Sequence, residues 1–284
     1  MSQLRKTRLN LEKTLARLVN NDIVWFVLKP IAKFGFFATY HRQGRQLNTI
    51  NENHPYFPIV NKKEVLNGPF KGMKYPALSS VGSSLFPKLL GSYERELHQV
   101  TEGFFSENYS EIVDIGCAEG YYAIGLGLKL INAKVYAYDS DATARELCCQ
   151  MAKVNNMKNR IIIKETCTAK ELEDFKFTGK ALIICDCEGY EKYLFNEQNV
   201  ANLKNCDLLI EMHDFIDLNI SGKMIDLFTD THDLQIIKSI DDIEKAKTYI
   251  YEETNSLSLE EKWKLYQEWR PSIMEWLICT PKNA

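Results

Sequence analysis

No Cys-x-x-Cys pair occurs among the eight cysteines of this 284-residue sequence, which argues against a zinc knuckle or a dithiol redox motif. Cys117, Cys185, Cys187, Cys206 and Cys279 instead stand in or beside apolar runs. Free cysteine in that setting acts as a small buried hydrophobe, so reduced thiols in a cytoplasmic protein are expected. No small-residue cleavage site follows the basic N-terminal segment, so no secretory signal is read there. Internal repeats and low-complexity tracts are also missing. With 45% apolar and 26% charged residues the chain is compositionally globular, not disordered. A net charge of −3 gives no global footing for nucleic acid.

That small net charge hides an asymmetry. Residues 1–50 carry nine Lys/Arg against Glu12 and Asp22, a net of +7, which leaves −10 for the remainder. Within the basic part, Leu4, Leu11, Leu15 and Leu18 share one helical face. The apolar stretch Ile23–Tyr40 is interrupted at its centre by Lys29, Pro30, Lys33 and Gly35, so a spanning helix is not expected. Residues 1–50 read as a helical arm that packs on the domain or on a second subunit, as in a homodimer. The alternative is peripheral contact of residues 1–40 with an anionic membrane surface, at its inner face.

Residues 51–90 contain HPYFP and NGPFKGMKYP, which punctuate a turn-rich connector with a short strand pair around Val65–Tyr75. Residues 91–284 form the expected catalytic domain. Strand-like runs there are Ile112–Ile115, Val135–Tyr138, Arg160–Lys164, Ala181–Cys185, Asp207–Met212, Gln235–Ser239 and Glu275–Thr280. Helical spacers fall near 119–131, 141–157, 168–174, 188–199 and 222–230, and a charged, aromatic stretch over 241–274 is expected to form a helix at one sheet edge. Alternation of this kind implies an α/β fold with a largely parallel sheet, whose ligands bind at the strand carboxyl ends.

Directly after the first strand comes Asp114-Ile-Gly116-Cys117-Ala118-Glu119-Gly120-Tyr121. Its two glycines permit a sharp turn and close approach of a ligand. Asp139 ends the second strand, 25 residues on, where a carboxylate can accept hydrogen bonds from both hydroxyls of a ribose. A dinucleotide site requires G-x-G-x-x-G, and this turn has Gly-x-x-x-Gly with Glu119 beside it. A carboxylate there is unfavourable for pyrophosphate and compatible with an amino group and a sulfonium, as in S-adenosylmethionine.

DIGCAEGYYAIGL, the acidic YAYDSD, the segment LIICDCEGYEKYLF and the following LLIEMHD together resemble the FkbM-type class I methyltransferases. The resemblance spans residues 91–240, beginning with GSYERELH. It implies a Rossmann-like sheet of seven strands, mostly parallel with the last antiparallel. It also implies S-adenosylmethionine-dependent O-methylation, with a saccharide or glycoconjugate hydroxyl as acceptor; a lipid, polyketide or amine acceptor, or a non-catalytic nucleotide-binding module, are the alternatives. Cys117, Ala118 and Glu119 depart from the family's Ala, Asn and apolar residue.

Cofactor-binding positions are then Asp114, Gly116, Cys117, Ala118, Gly120, Tyr121, Asp139 and Ser140. Thr166 and Cys167 are placed against adenine by the resemblance, and Glu94 on the methionine ammonium. Asp186, Glu188 and Glu191 follow the fourth strand, and Glu211, His213 and Asp214 end the fifth. His213 is the first choice for general base, because imidazole titrates near neutrality; Asp186 is the competing base or orients the cofactor. A divalent metal on Asp186, Glu188, Glu211 and His213 is chemically reasonable but is not expected. His232 and Arg270 are considered for the acceptor side, and Trp263, Tyr266, Trp269 and Trp276 as either a stacking surface or helix packing.

Overall fold

The computed structural model describes residues 50–282 and three isolated earlier positions, 24, 28 and 29. The expected arm therefore lies almost wholly outside the described residues. Residues 1–54 and 55–284 separate as two units. Ile59, Val60, Val65, Phe70, Met73 and Tyr75 are all buried, so the stretch read as a connector belongs to the body from residue 55 onward. Its expected strand pair is reduced to one antiparallel bridge, Glu64 to Lys74. Among the described residues no helix is long and apolar enough to cross a membrane.

From residue 50 onward, three short α-helices precede the sheet: α1 (Phe57–Val60), α2 (Leu85–Leu90) and α3 (His98–Phe104). The strands are β1 (Glu111–Ile115), β2 (Lys134–Tyr138), β3 (Ile161–Lys164), β4 (Ala181–Cys185), β5 (Cys206–Met212), β6 (His232–Lys238) and β7 (Glu275–Pro281). They form one seven-stranded sheet in the order β3-β2-β1-β4-β5-β7-β6. β1 to β5 pair in parallel, and β7 runs antiparallel to both β5 and β6. This is the sheet implied by the resemblance. Every residue of β1, β4 and β5 is buried, which is why these strands read as continuous apolar runs and not as alternation.

Between β1 and β5 run α4 (Tyr121–Lys129), α5 (Ala142–Val154), α6 (Ala169–Asp174), α7 (Glu191–Leu194) and α8 (Glu197–Leu203). The single helix expected over 188–199 is in fact two. Phe195 is extended, and Asn196 starts a new helix through a capping box with Asn199, so local side-chain hydrogen bonds win over continued helix. After β5 come α9 (Ile220–Phe228), α10 (Asp242–Thr248) and α11 (Leu259–Tyr266). The charged 241–274 stretch is thus split, with a second capping box, Ser258 with Glu261, restarting it.

The 55–90 segment is joined to the sheet by a buried ion pair. Lys88 in α2 lies 2.5 Å from Glu119 in the turn after β1, and both side chains are almost fully buried. Glu119 also accepts hydrogen bonds from the Ser80 hydroxyl at 2.9 Å and the Val81 amide at 3.1 Å. Removing one partner of such a pair leaves an uncompensated buried charge. Lys88→Met is expected to lower unfolding free energy by about 3–5 kcal/mol, and Lys88→Met with Glu119→Gln by clearly less. Denaturant titration of both variants decides; equal losses would show that the charge pairing is not what matters.

Candidate functional site

The strand order reverses between β1 and β4, and the sheet opens there into a cleft of about 650 Å³ at the carboxyl ends of the strands. Its shape depends on one contact. The Asp186 amide donates to the Ile115 carbonyl at 2.9 Å. At Gly116, where φ is +84°, a Cβ would lie 1.6 Å from the Asp186 carbonyl oxygen. Only glycine therefore lets the β1 turn pass under the end of β4. Ala118 also takes a left-handed conformation (φ +47°), an unusual state for a residue with a side chain.

Asp114, Gly116, Cys117, Ala118, Tyr121, Asp139, Ser140, Thr166, Cys167, Asp186 and His213 all line this cleft. Gly120 and Glu94 do not. Gly120 is the left-handed N-cap of α4, packed against Cys148 and Ile124. Glu94 is buried with both oxygens engaged, one by the Tyr122 hydroxyl and one by Arg270 at 2.6 Å. The ammonium-binding role expected for Glu94 is therefore corrected: no lone carboxylate oxygen there faces the cleft.

The half of the cleft at β1 to β3 is set by two aspartates. Asp139 accepts from the Ala118 amide and the Asp141 amide, each at 2.8 Å, which fixes its carboxylate at the mouth. Asp114 is buried; it accepts from the Ala123 amide, while Oδ2 has no partner among the described residues. Burial pushes its carboxyl up to about 8, and the charges of Asp186 and Asp139 add to the shift. Glu119 does not reach the cleft. Its charge is balanced by Lys88, so its expected influence on a bound ligand is not present, and Lys88 is itself a cleft residue.

The half at β4 and β5 is a network of carboxylates around two cations. His213 Nδ1 lies 2.7 Å from Glu191 Oε1, and Nε2 lies 3.4 Å from Asp186 and 3.7 Å from Glu188. Burial alone would lower the imidazole pKa, but the hydrogen bonds and charges of Asp186 and Glu191 outweigh it and raise it to about 11. At neutral pH such a ring is an imidazolium with no lone pair to offer. This removes the reason for preferring His213 as general base. Burial likewise raises Asp186, yet the His213 hydrogen bond and the charges of His213 and Arg270 prevail and hold it below the ordinary carboxylate range. Asp186 is the anion of the site, and its side chain is 39% exposed to the cleft.

Arg270 is the second cation. It bonds Glu211, Glu94 at 2.6 Å and Glu268 at 3.1 Å, and its guanidinium lies 4.6 Å from the centre of the Trp276 ring. Glu268 is two residues away, but nothing in the sequence marks Arg270 as a hub that also gathers Glu94 and Glu211 from distant segments. Val81, Gly82 and Ser83 also line the cleft, and the turn-rich composition around them gave no signal of that. His232 is buried with Nε2 3.0 Å from the Cys206 carbonyl oxygen, a packing role. Tyr266 and Trp276 are buried as well, so of the four aromatics only Trp269 is a cleft residue. Asp214 accepts from the Ser221 amide at 2.9 Å, outside the lining.

No family model matches the chain, and no curated protein sequence matches it. Solved structures do resemble it. A putative O-methyltransferase from Klebsiella pneumoniae shares 11% identity at a TM-score of 0.45, covering 68% of this chain and 82% of its own. The O-methyltransferase TomG from Streptomyces achromogenes shares 10% at 0.43, covering 69% and 83%. A precorrin-6y C5,15-methyltransferase from Geobacter metallireducens shares 10% at 0.42, covering 65% and 89%.

The Asp114 carboxyl has a definite pH signature. Its native pKa, about 8, lies above the ordinary 3.8, so the folded state holds this proton more tightly than the unfolded chain. Its contribution to stability is full below pH 4 and is lost as pH rises through about 8. Asp114→Asn, which cannot ionise, is expected to raise Tm at pH 9 by at least about 3 °C, or roughly 1 kcal/mol for a chain of this size. The gain should vanish toward pH 4. A Tm gain independent of pH would rule out the buried carboxyl as its source.

Proposed function

We propose that this chain is an FkbM-type, S-adenosylmethionine-dependent O-methyltransferase acting on a hydroxyl of a saccharide or glycoconjugate. The observation that carries this reading is the pair of aspartates at adjacent strand ends. Asp139 sits at the end of β2, where it would hold a ribose, and Asp114, whose buried Oδ2 has no partner among the described residues, lines the same cleft. Together they suit a ligand with a ribose at one end and an ammonium at the other. The motifs DIGCAEGYYAIGL and CDCEGYE support the same assignment.

When bound, S-adenosylmethionine supplies an electrophilic methyl group whose carbon–sulfur electron pair stays on sulfur as oxygen attacks. The chain's own residues do the rest. Asp139, with Ser140 beside it, would hold the ribose, and Thr166 and Cys167 would border the base. Asp114 would take the ammonium, and Tyr121 and Tyr93, whose rings lie under the Lys88 ammonium, border the same cleft. Asp186, anionic and open to the cleft, would accept the acceptor's hydroxyl proton. His213, held by Glu191 at 2.7 Å, would orient Asp186. On the outer side, Tyr190, Phe215 and Trp269 line the cleft beside Asp186 and Glu188. Flat aromatic faces next to hydrogen-bond-accepting carboxylates match a sugar ring with several hydroxyls.

Calorimetric titration with S-adenosylhomocysteine tests the cofactor. Asp139→Ala should weaken binding about 10- to 100-fold, the range for losing charge-assisted hydrogen bonds. Asp186→Asn should keep affinity within about threefold while lowering turnover about 10²- to 10⁴-fold. Binding of NAD in preference to S-adenosylhomocysteine would refute the reading. For the acceptor, labelled methyl transfer should appear in a glycan or glycolipid fraction, and Trp269→Ala should raise the acceptor KM about tenfold with little change in kcat. Transfer to apolar lipid or polyketide fractions alone would overturn the saccharide assignment.

A further inference from the structure

The carboxylates at the ends of β4 and β5 leave a gap of a particular size. His213 Nε2 faces Asp186 Oδ1 at 3.4 Å and Glu188 Oε2 at 3.7 Å. Both are longer than the roughly 2.8 Å of a charge-assisted hydrogen bond. Ligands held about 2.1 Å from one ion, in contrast, lie about 3.0–3.4 Å from each other in octahedral or tetrahedral arrangements. One donor atom each from Asp186, Glu211 and His213 falls within 4.8 Å of the other two. All three residues stand at the ends of adjacent parallel strands, which is a rigid base.

The side of His213 away from the gap is built as a support. Its Nδ1 is held by Glu191 at 2.7 Å, and the same Glu191 oxygen accepts from the amides of Cys187 and Gly189 at 3.2 and 3.3 Å. Glu191 is completely buried. A carboxylate on one ring nitrogen directs the other nitrogen to a metal and makes it a better donor. Asp114, 2% exposed with Oδ2 unpartnered, lines the β1 side of the same cleft and is left to the cofactor. The end at β4 and β5 has more carboxylates than cations. Arg270 is committed to Glu94, Glu211 and Glu268; through Nη1 it holds one Glu211 oxygen, while the Glu211 carboxyl also hydrogen-bonds Asp186.

We propose that Asp186, Glu211 and His213 bind one divalent first-row metal ion, with Glu188 as an accessory ligand and Glu191 as the support that orients His213. The ion takes the position among these carboxylates that the Nε2 proton otherwise holds. Two carboxylates and one imidazole favour Mn²⁺, Fe²⁺ or Zn²⁺ over Ca²⁺. The open side of the site faces the cleft, where the ion would ligate the acceptor hydroxyl. That use of the ion rests on the methyltransferase reading, but the existence of the site does not.

Mn²⁺ alone is the probe, added to the full chain after chelator treatment and followed by loss of the free-ion electron paramagnetic resonance signal. One saturable Mn²⁺ per chain is expected. His213→Gln and Asp186→Asn should each weaken it at least about tenfold, and Glu191→Gln by about 10- to 100-fold. Glu102→Gln, an exposed acid on α3, should leave it unchanged. S-adenosylhomocysteine titration of each variant reports folding independently of metal. No saturable binding of Mn²⁺ or Zn²⁺ by the parent chain overturns the proposal, as does equal affinity in parent, His213→Gln and Asp186→Asn. Mn²⁺ binding without S-adenosylhomocysteine binding would sustain the metal site and sink the methyltransferase reading. S-adenosylhomocysteine binding without metal binding would do the reverse.

Discussion

The passage of Gly116 beneath the Asp186 carbonyl is the constraint on which the site depends. It brings the turn after β1 and the end of β4 to van der Waals contact, with a 2.9 Å hydrogen bond from the Asp186 amide to Ile115 fixing the approach. Asp114, Asp139 and Asp186 therefore open into one cleft although they come from three separate strands. A side chain at residue 116 would force the two strand ends apart. The glycine turn after β1 and the proposed acid–base group would then no longer share a wall.

The second organising element is electrostatic. A cleft with this density of carboxylates would be strongly self-repelling without compensation, since burial disfavours each charge and neighbours add to that. Two cations are drawn in. Arg270 offsets Glu94, Glu211 and Glu268 on the β7 side, and His213 offsets Asp186 and Glu191 on the β4 side. Asp186 emerges as the anion of this network because a His213 hydrogen bond adds to the charges of both cations and prevails over burial. Burial instead pushes Glu211 and Glu94 above the ordinary range, although Arg270 pulls the other way on both. The acidity of residues 51–284 is partly concentrated at this one sheet edge.

Strand positions were legible in the sequence to within about three residues, because completely buried parallel strands need apolar runs bounded by turns. The Gly116–Gly120 turn and Asp139 were legible for a related reason: backbone geometry at a strand end admits few residue types. Less visible were features decided by tertiary contact. Asn196 and Ser258 restart helices through capping boxes inside stretches whose periodicity suggests continuation. Glu119 and Glu94 carry suggestive positions, but their partners, Lys88 and Arg270, come from 31 and 176 residues away. The state of His213 was hidden for the same reason, since an imidazole's character is set by what surrounds it in space, here Asp186 and Glu191.

The Lys88–Glu119 pair has a consequence for how the protein loosens. Glu119 lies between the two glycines of the turn after β1, and its carboxylate also holds Ser80 and the Val81 amide. Residues 80–88 and 116–120 are thus latched by a single side chain that is 1% exposed. Neither can fray alone without stranding a charge in the interior. The two segments should open as one cooperative unit, with matched amide exchange rates, although 31 residues of chain separate the latch from its catch.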